Sequence, residues 1–282
     1  MNTFFPKTDE PAAPAFKALI LAGGRGKRFN EFTNDENKCL FEFRGKPLIE
    51  YSLENAMMIG ITDVIIVVGY LAENIINKYG ISYGNCSIKY VIQREQLGLV
   101  NAIECAKKSI GDSDFLLMLG DEFFINPQHP GMFSAFEEKD AFASCGVISV
   151  NDRSLISKTY SILADSESRR IYRLIEKPEH PTNNFMGSGN VFFRNEILRY
   201  IDKTPINPKR NERELPDLIQ CAIDDGKDVY YHTLASEYVN VNKAEDIADI
   251  KSGEPVAAYE MEYAGNDHLD EFFLEGSYAR TE

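Results

Sequence analysis

The sequence predicts an α/β fold of three layers, with a mainly parallel, mixed central sheet between helices. Several predicted strands are apolar on both faces, which is typical of a sheet that is covered on both sides. Segments of helical periodicity separate these strands, and this alternation favours parallel strands. The second half of the chain is richer in strands than the first.

The predicted elements follow in order along the chain. In the first half, apolar runs predict strands at 17–22, 63–68, 87–93 and 115–119. Apolar residues at helical spacing predict helices at 47–59, 72–79 and 99–108. In the second half, we predict strands at 143–150, 160–164, 171–175 and 189–193, then a helix at 214–224, a strand at 229–232 and a helix at 243–251.

One folded domain is expected over residues 16–252. Residues 1–15 are polar with three prolines and are expected to be disordered. Residues 253–282 form an acidic tail with eight acidic side chains and one arginine. Two interpretations of this tail stay open: a disordered segment, or a small helix at 269–274 that contacts a partner or another copy of the chain.

The composition and the net charge of the chain limit the classes of ligand that it is expected to bind. The 282-residue chain has 44% hydrophobic residues and a net charge of −14, which argues against binding nucleic acid polymers or anionic membranes. A polyanionic substrate would therefore need local cations and a divalent metal. No apolar run reaches the ~18 residues of a membrane helix. The five cysteines lack CxxC spacing, so we expect reduced thiols and a cytoplasmic location.

The most informative segment is the glycine-rich turn after the strand at 17–22. Glycines let backbone N–H groups approach phosphates, and the cations Arg28 and Lys38 follow. A strand-to-helix turn with solvated cations is the simpler alternative. A P-loop is excluded because Gly45-Lys46 is followed by Pro47. The predicted nucleotide-binding residues of this segment are Leu21, Ala22, Gly23, Gly24 and Gly26.

This pattern resembles the signature of the sugar-phosphate nucleotidylyltransferases, most closely the glucose-1-phosphate thymidylyltransferase and uridylyltransferase branch. The resemblance covers most of residues 17–251 and implies a Rossmann-like nucleotidyltransferase core with a strand-rich acceptor-binding half. It also implies that the glycine turn holds a nucleoside triphosphate and that Arg28 and Lys38 stabilise the departing pyrophosphate. Asn37 stands before Lys38 where that family often has proline, a difference that we expect to be without effect.

Asp121 is the predicted metal ligand. It follows a buried strand and Gly120, and Mg²⁺ typically takes one or two protein carboxylates together with substrate phosphates. An isolated Gly-Asp pair is more often a simple turn, but its place in the chain resembles the family's metal aspartate. Asn240 stands where that family usually has a second aspartate, so its carbonyl oxygen would ligate Mg²⁺ with one charge fewer. Glu122 is interpreted as structural, or as a residue that supports the metal ligand without binding the metal itself.

The acceptor site is implied by Glu176-Lys177-Pro178, which resembles the motif whose glutamate binds sugar hydroxyls and whose lysine binds the sugar's phosphate. Ser161 stands where a sugar-contacting glycine is common, which leaves the acceptor's identity open. For Arg210, a solvated loop arginine is an equal alternative. The predicted acceptor-binding residues are Glu176, Lys177, Gly187, Asn190 and Arg210.

Gln93 and Gly98 resemble the pair with which that branch reads its base. An amide presents a donor and an acceptor that match uracil or thymine, and after a flip it also matches cytosine. We therefore predict dTTP or UTP, then CTP, before ATP or GTP. The alternative is a glutamine that caps a turn at a strand end.

These residues lead to one function and three alternatives. The predicted enzyme moves NMP from an NTP, pyrimidine preferred, to a sugar 1-phosphate and releases pyrophosphate, as in nucleotide sugar biosynthesis. Its predicted catalytic groups are Arg28, Lys38, Asp121 and Lys177, with Mg²⁺ as cofactor. The alternatives are a cytidylyltransferase acting on a phosphonate, one acting on another non-sugar phosphate, and a catalytically weakened nucleotide-sugar binding or regulatory subunit. Whether the chain forms a homo-oligomer stays open.

Overall fold

The computed structural model describes residues 16–24 and 37–240. Within these ranges the α-helices are α1 (Leu48–Met58), α2 (Ala72–Tyr79), α3 (Leu99–Ile110), α4 (His129–Glu138) and α5 (Leu215–Asp224). The strands are β1 (Lys17–Ala22), β2 (Glu42–Phe43), β3 (Lys46–Pro47), β4 (Asp63–Val68), β5 (Ser82–Tyr83), β6 (Cys86–Ile92), β7 (Phe115–Leu119), β8 (Glu122–Ile125), β9 (Ala143–Ser149), β10 (Tyr160–Ala164), β11 (Ile171–Glu176), β12 (Phe185–Phe193), β13 (Ile206–Asn207), β14 (Glu212–Arg213), β15 (Val229–Thr233) and β16 (Glu237–Asn240).

The central sheet is mixed and parallel in its first half, as predicted. Strands β7, β1, β4 and β6 lie side by side and run parallel, with Lys17 beside both Asp63 and Phe115. Strand β12 joins β7 in the antiparallel direction and connects this half to β9, β10 and β11. The carboxyl ends of four parallel strands therefore meet at one edge of the sheet, where ligands gather in such folds.

Helices cover the sheet on both faces, which confirms the three layers. On one face α3 and α5 bury residues such as Ile103 and Leu218 against the sheet. On the other face α1, α2 and α4 bury Leu53, Ile75 and Phe136. Burial of apolar side chains on both faces explains why β1 and β4 are nearly continuous apolar runs.

Every predicted element that falls within the described residues is present in the structure. The strand predicted at 189–193 is the end of the longer β12, and the elements that were not predicted are α4, β8, β16 and the two-residue strands β2, β3, β5, β13 and β14. The helix predicted at 243–251 lies outside the described residues, as do residues 1–15 and the tail at 253–282. In the part of the chain that is described, no helix is long and apolar enough to cross a membrane.

Candidate functional site

The glycine turn lies at the carboxyl end of β1, beside the ends of β4 and β6. Leu21 and Ala22 are buried as the last residues of β1. The carbonyl oxygen of Gly23 accepts hydrogen bonds from the Tyr70 backbone N–H at 3.3 Å and from Gln96 Nε2 at 2.9 Å. These bonds fix the start of the turn, while a Cβ on Gly24 would meet no atom of the described residues within 4 Å.

A second glycine, Gly69, lets the turn after β4 approach the turn after β1. A Cβ at Gly69 would lie 2.7 Å from the carbonyl oxygen of Gly23, which is too close for two non-bonded atoms. The approach of the two turns therefore requires glycine at this position. The sequence does contain a signal for Gly69, because it directly follows the apolar strand β4 just as Gly23 follows β1. Gly26 and Arg28 lie outside the described residues, so their predicted roles stay predictions.

Lys38 and Asp121, two predicted catalytic residues that are distant in sequence, form an ion pair. Lys38 opens a short 3-10 helix and Asp121 follows β7, and the distance from Lys38 Nζ to Asp121 Oδ2 is 2.6 Å. The side chain of Lys38 is 9% exposed and that of Asp121 is 24% exposed, so the pair is largely shielded from solvent. A cation and a carboxylate therefore stand together at the edge that carries the glycine turn.

The residues present fit a Mg²⁺ ion. Asp121 offers a hard carboxylate oxygen, and β16 pairs with β8 so that the backbone of Asn240 lies opposite Glu122, the neighbour of Asp121. No cluster of three or more metal-binding His, Cys, Asp or Glu side chains occurs among the residues described. Mg²⁺ typically takes one or two protein carboxylates and completes its coordination with water and substrate phosphates.

Glu122 is a structural residue, in line with its interpretation from sequence. Its buried carboxylate accepts hydrogen bonds from the Gly189 backbone N–H at 3.1 Å, from Asn190 Nδ2 at 2.8 Å and from the Tyr238 hydroxyl at 3.0 Å. Burial first, and then the charge of Asp121, raise the pKa of Glu122 to about 7. The carboxylate thus joins β8, β12 and β16 behind Asp121.

The side chain of Asn190 forms hydrogen bonds inside the protein. Its side chain is 1% exposed, and Oδ1 lies 2.9 Å from His129 Nε2 while Nδ2 donates to Glu122. Because both ends of the amide are used inside the protein, no contact of this side chain supports its predicted role in acceptor binding. Burial lowers the pKa of His129 to about 4, so the imidazole is neutral at pH 7.

A second charged group lies at the end of β11 and the start of α5. One nitrogen of Arg210, Nη2, is 2.6 Å from Glu176 Oε1 and 2.6 Å from Glu214 Oε1. Lys177 Nζ lies 3.4 Å from the same oxygen of Glu176. The structure therefore brings together three of the predicted acceptor-binding residues, and Arg210 is not a solvated loop arginine.

Glu214 belongs to this charged group and was not among the residues predicted from the sequence. It precedes α5 as its N-cap residue, and burial together with the charge of Glu176 raises its pKa to about 7. The available signal was its position four residues after Arg210. Two carboxylates held by one guanidinium provide several acceptors for the hydroxyl groups of a polar ligand.

Lys177 has an unusual backbone for a lysine. Its φ is +43°, in the left-handed region, and its backbone N–H donates to the Thr159 carbonyl at 2.7 Å. Such a conformation costs a non-glycine residue of order 1–3 kcal/mol and concentrates at functional sites. The left-handed residue directly follows Glu176, the last residue of β11.

The predicted acceptor-site glycine Gly187 makes room for an aromatic ring. A Cβ at Gly187 would lie 2.1 Å from the ring of Tyr160, whose hydroxyl donates to the Ser188 carbonyl at 3.0 Å. Nearby, a Cβ at Gly189 would lie 2.2 Å from Cγ of Leu119, just before the Gly120-Asp121 turn. Strand β12 therefore packs against both halves of the site.

Gln93 is buried between the turn after β1 and the start of α3. Its Nε2 donates to the Gly98 carbonyl at 3.2 Å and to Asn101 Oδ1 at 2.9 Å. Its Oε1 faces Gly23, where a Cβ would lie 3.0 Å away. Gly98 has a φ of +90°, which favours glycine. The predicted pair is thus adjacent, with the amide oxygen directed toward the glycine turn.

Comparison with known proteins gives consistent similarities. A family model described as "Nucleotidyl transferase" matches residues 17–253. The nucleotidyltransferase Agl11 of low-salt glycan biosynthesis in Haloferax volcanii is 29% identical over 83% of this chain and 64% of its own length. The UTP–glucose-1-phosphate uridylyltransferase AglF of the same organism is 31% identical over 76% of this chain and 86% of its own length.

The fold has relatives among solved structures as well. A UDP-glucose pyrophosphorylase complexed with UDP-glucose superimposes with a TM-score of 0.75 at 24% identity, covering 84% of this chain and 97% of the other. At this identity the likeness shows the fold. This chain spans slightly less than two thirds of the Agl11 sequence that it matches.

Proposed function

This chain belongs to the nucleotidyl transferase family, and we propose that it moves NMP from an NTP to a sugar 1-phosphate and releases pyrophosphate. The observation that carries the proposal is the Lys38–Asp121 pair beside the glycine turn. A phosphate-binding turn, a cation and a hard oxygen ligand at one sheet edge are what a triphosphate requires.

In the proposed reaction, this chain's residues bind, orient and neutralise charge. The backbone at Gly23 and Gly24 receives the triphosphate, and Lys38, with Arg28, neutralises the departing pyrophosphate. Mg²⁺, held by Asp121 and Asn240, would supply further neutralisation of phosphate charge when bound. No protein nucleophile is needed, because the acceptor phosphate is already an anion that attacks the α-phosphorus.

The acceptor is proposed to lie at Glu176, Lys177, Arg210 and Glu214. Lys177 meets the acceptor phosphate, and the two carboxylates accept hydrogen bonds from sugar hydroxyls. The similarity to AglF, a UTP–glucose-1-phosphate uridylyltransferase, supports a sugar 1-phosphate over a phosphonate or another non-sugar phosphate. Among the residues that the structure describes, no contact favours the phosphonate.

For the base we propose uracil or thymine before cytosine. Both hydrogens of Gln93 Nε2 are used by Gly98 and Asn101, which leaves the amide oxygen as the group that meets a base. Uracil and thymine carry an N3–H that donates to an oxygen, whereas N3 of cytosine is itself an acceptor and cytosine would have to bind this oxygen through its N4 amino group. Purines would need a wider pocket.

A pyrophosphate-release screen tests the proposal. It pairs dTTP, UTP, CTP, ATP and GTP with a panel of sugar 1-phosphates and phosphonates in the presence of Mg²⁺. We expect turnover with UTP or dTTP and a hexose 1-phosphate. Turnover with CTP and a phosphonate would replace the acceptor and base assignments. NTP binding without release with any acceptor would favour the regulatory subunit.

A further inference from the structure

Asn37, the residue before Lys38, is buried and fully bonded. Its side chain is 1% exposed. The amide oxygen accepts from the Cys39 backbone N–H at 2.9 Å, and Nδ2 donates to the Ala22 carbonyl at 3.3 Å and to the Tyr70 carbonyl at 2.9 Å. We expected the difference from proline at this position to be without effect, but proline could make none of these three side-chain hydrogen bonds.

The three bonds join three separate segments of the site. Ala22 is the last residue of β1 and leads into the glycine turn, and Tyr70 lies in the turn after β4. Cys39 belongs to the short helix that begins at Lys38. One amide therefore fixes the backbone that carries Lys38 relative to both glycine turns.

The chemistry of the side chain matters at this position. Aspartate would keep the acceptor for Cys39 N–H but would face two carbonyl oxygens without a donor. Serine would keep an acceptor and has one hydrogen to donate. Only an amide of this length supplies one acceptor and two donors, and it adds no charge beside the Lys38–Asp121 pair.

We infer that Asn37 is a positioning residue that sets Lys38 against the phosphates of the nucleotide. The inference rests on the proposed function, in which Lys38 neutralises pyrophosphate. A lysine ammonium is a point charge on a flexible stem, so its placement depends on where its backbone is held. With Asn37 in place, the Lys38 backbone is fixed to the strand end from which the glycine turn begins.

A purely structural role is the competing explanation, because a bonded buried amide also stabilises the fold. The two roles differ in whether the effect of Asn37 depends on Lys38. A residue that acts through Lys38 loses its importance once the ammonium is removed, whereas a purely structural residue does not.

The experiment is a double-mutant cycle with Asn37→Ala, Lys38→Ala and the double variant, read as kcat and both KM values for pyrophosphate release with UTP and glucose 1-phosphate. Asn195→Ala is the matched control. Asn195 also donates to two backbone carbonyls, those of Gly111 and Ser113, at 2.8 and 2.9 Å, but it lies by the opposite end of β7. If Asn37→Ala fails to fold, Asn37→Ser replaces it, since its hydroxyl still accepts from Cys39 N–H.

We expect Asn37→Ala to lower kcat roughly 10- to 100-fold, with the acceptor KM nearly unchanged. In the Lys38→Ala background the same change should cost no more than about 2-fold, within the error of additivity. The control should lower the urea midpoint but leave kcat unchanged. Equal losses in both backgrounds, or an unchanged kcat in Asn37→Ala, would overturn the inference.

Failure of the proposed function is visible separately. If the wild type releases no pyrophosphate with any pair of substrates, the same cycle is read in dissociation constants for UTP with Mg²⁺. Coupling between Asn37 and Lys38 in UTP affinity would then support the positioning role without the reaction. Additive effects, or no UTP binding by the wild type, would overturn it.

Discussion

Lys177 combines a strained backbone with a proposed phosphate contact, and two substitutions separate these features. Lys177→Ala removes the ammonium but keeps a Cβ at a φ of +43°. Lys177→Gly removes the ammonium and also relieves the strain, because glycine adopts this φ without steric cost. Comparing the stability and the acceptor kinetics of the two variants therefore separates the cost of the backbone strain from the contribution of the ammonium group.

The magnitudes follow from the contacts. A charge-assisted hydrogen bond to the acceptor phosphate is worth roughly 1.5–3 kcal/mol, which corresponds to about a 10- to 100-fold change in kcat/KM. Both variants should show this loss for the acceptor, with little change in the KM for NTP. A left-handed non-glycine residue costs about 1–2 kcal/mol, and glycine returns part of this by loosening the unfolded chain. Lys177→Gly should thus be about 1 kcal/mol more stable than Lys177→Ala.

Initial rates of pyrophosphate release at varied acceptor and saturating NTP measure the first effect, and urea unfolding measures the second. Lys158→Ala is the control, since Lys158 is an exposed lysine next to Thr159, the residue that accepts the Lys177 N–H. Equal loss of NTP and acceptor binding would refute the assigned role. An active Lys177→Gly variant would show that the ammonium is unnecessary.

Three further outcomes are expected. Asp121→Asn should nearly abolish turnover while the fold persists, and Asn240→Asp should retain activity. Both variants are assayed at limiting Mg²⁺. Wild-type rates for Asp121→Asn would contradict the assignment of Asp121 as a metal ligand. Gln93→Ala should erode the preference for UTP or dTTP in competition assays, because paired hydrogen bonds discriminate through groups left unpaired; an unchanged preference would remove Gln93 from base reading. Burial lowers the pKa of His129 from 6.5 to about 4, so the unfolded chain takes up a proton first and stability is lost as the pH falls through this window. The free energy of unfolding should therefore fall between pH 7 and pH 4.5, and His129→Gln should make this fall smaller by up to about 3 kcal/mol. Urea unfolding at both pH values measures the difference. An equal fall in the wild type and in His129→Gln would contradict the prediction.

The sheet and its functional edge were predictable because their signals are local. Strand β1 and the strands beside it are apolar runs that end in glycine or in polar residues, and parallel strands place such ends together. The Lys38–Asp121 pair follows from this convergence, although the residues are 83 positions apart. Helix α4 was missed because Pro130 and Gly131 near its start read as a turn.

The acceptor half was less predictable because its side-chain directions depend on an irregular strand. The pairing of β12 with β9 shifts register between Gly187 and Val191, so strand alternation does not show which way Asn190 points. The role of Asn37 was equally hidden. Its hydrogen bonds reach Ala22 and Tyr70, and nothing in the sequence next to Lys38 reveals those distant partners.

In both halves of the site, a cation is paired with one or more carboxylates. Lys38 is held by Asp121, and Arg210 is held by Glu176 and Glu214. A largely buried lysine without a carboxylate would cost several kcal/mol of desolvation, so the pairing lets the cation remain in a low-dielectric site. Under the proposed function, phosphates would compete with carboxylates for these cations, in a chain whose net charge of −14 already repels them. Mg²⁺ would neutralise part of that repulsion, which is why we expect substrate affinity to depend on the metal as strongly as turnover does.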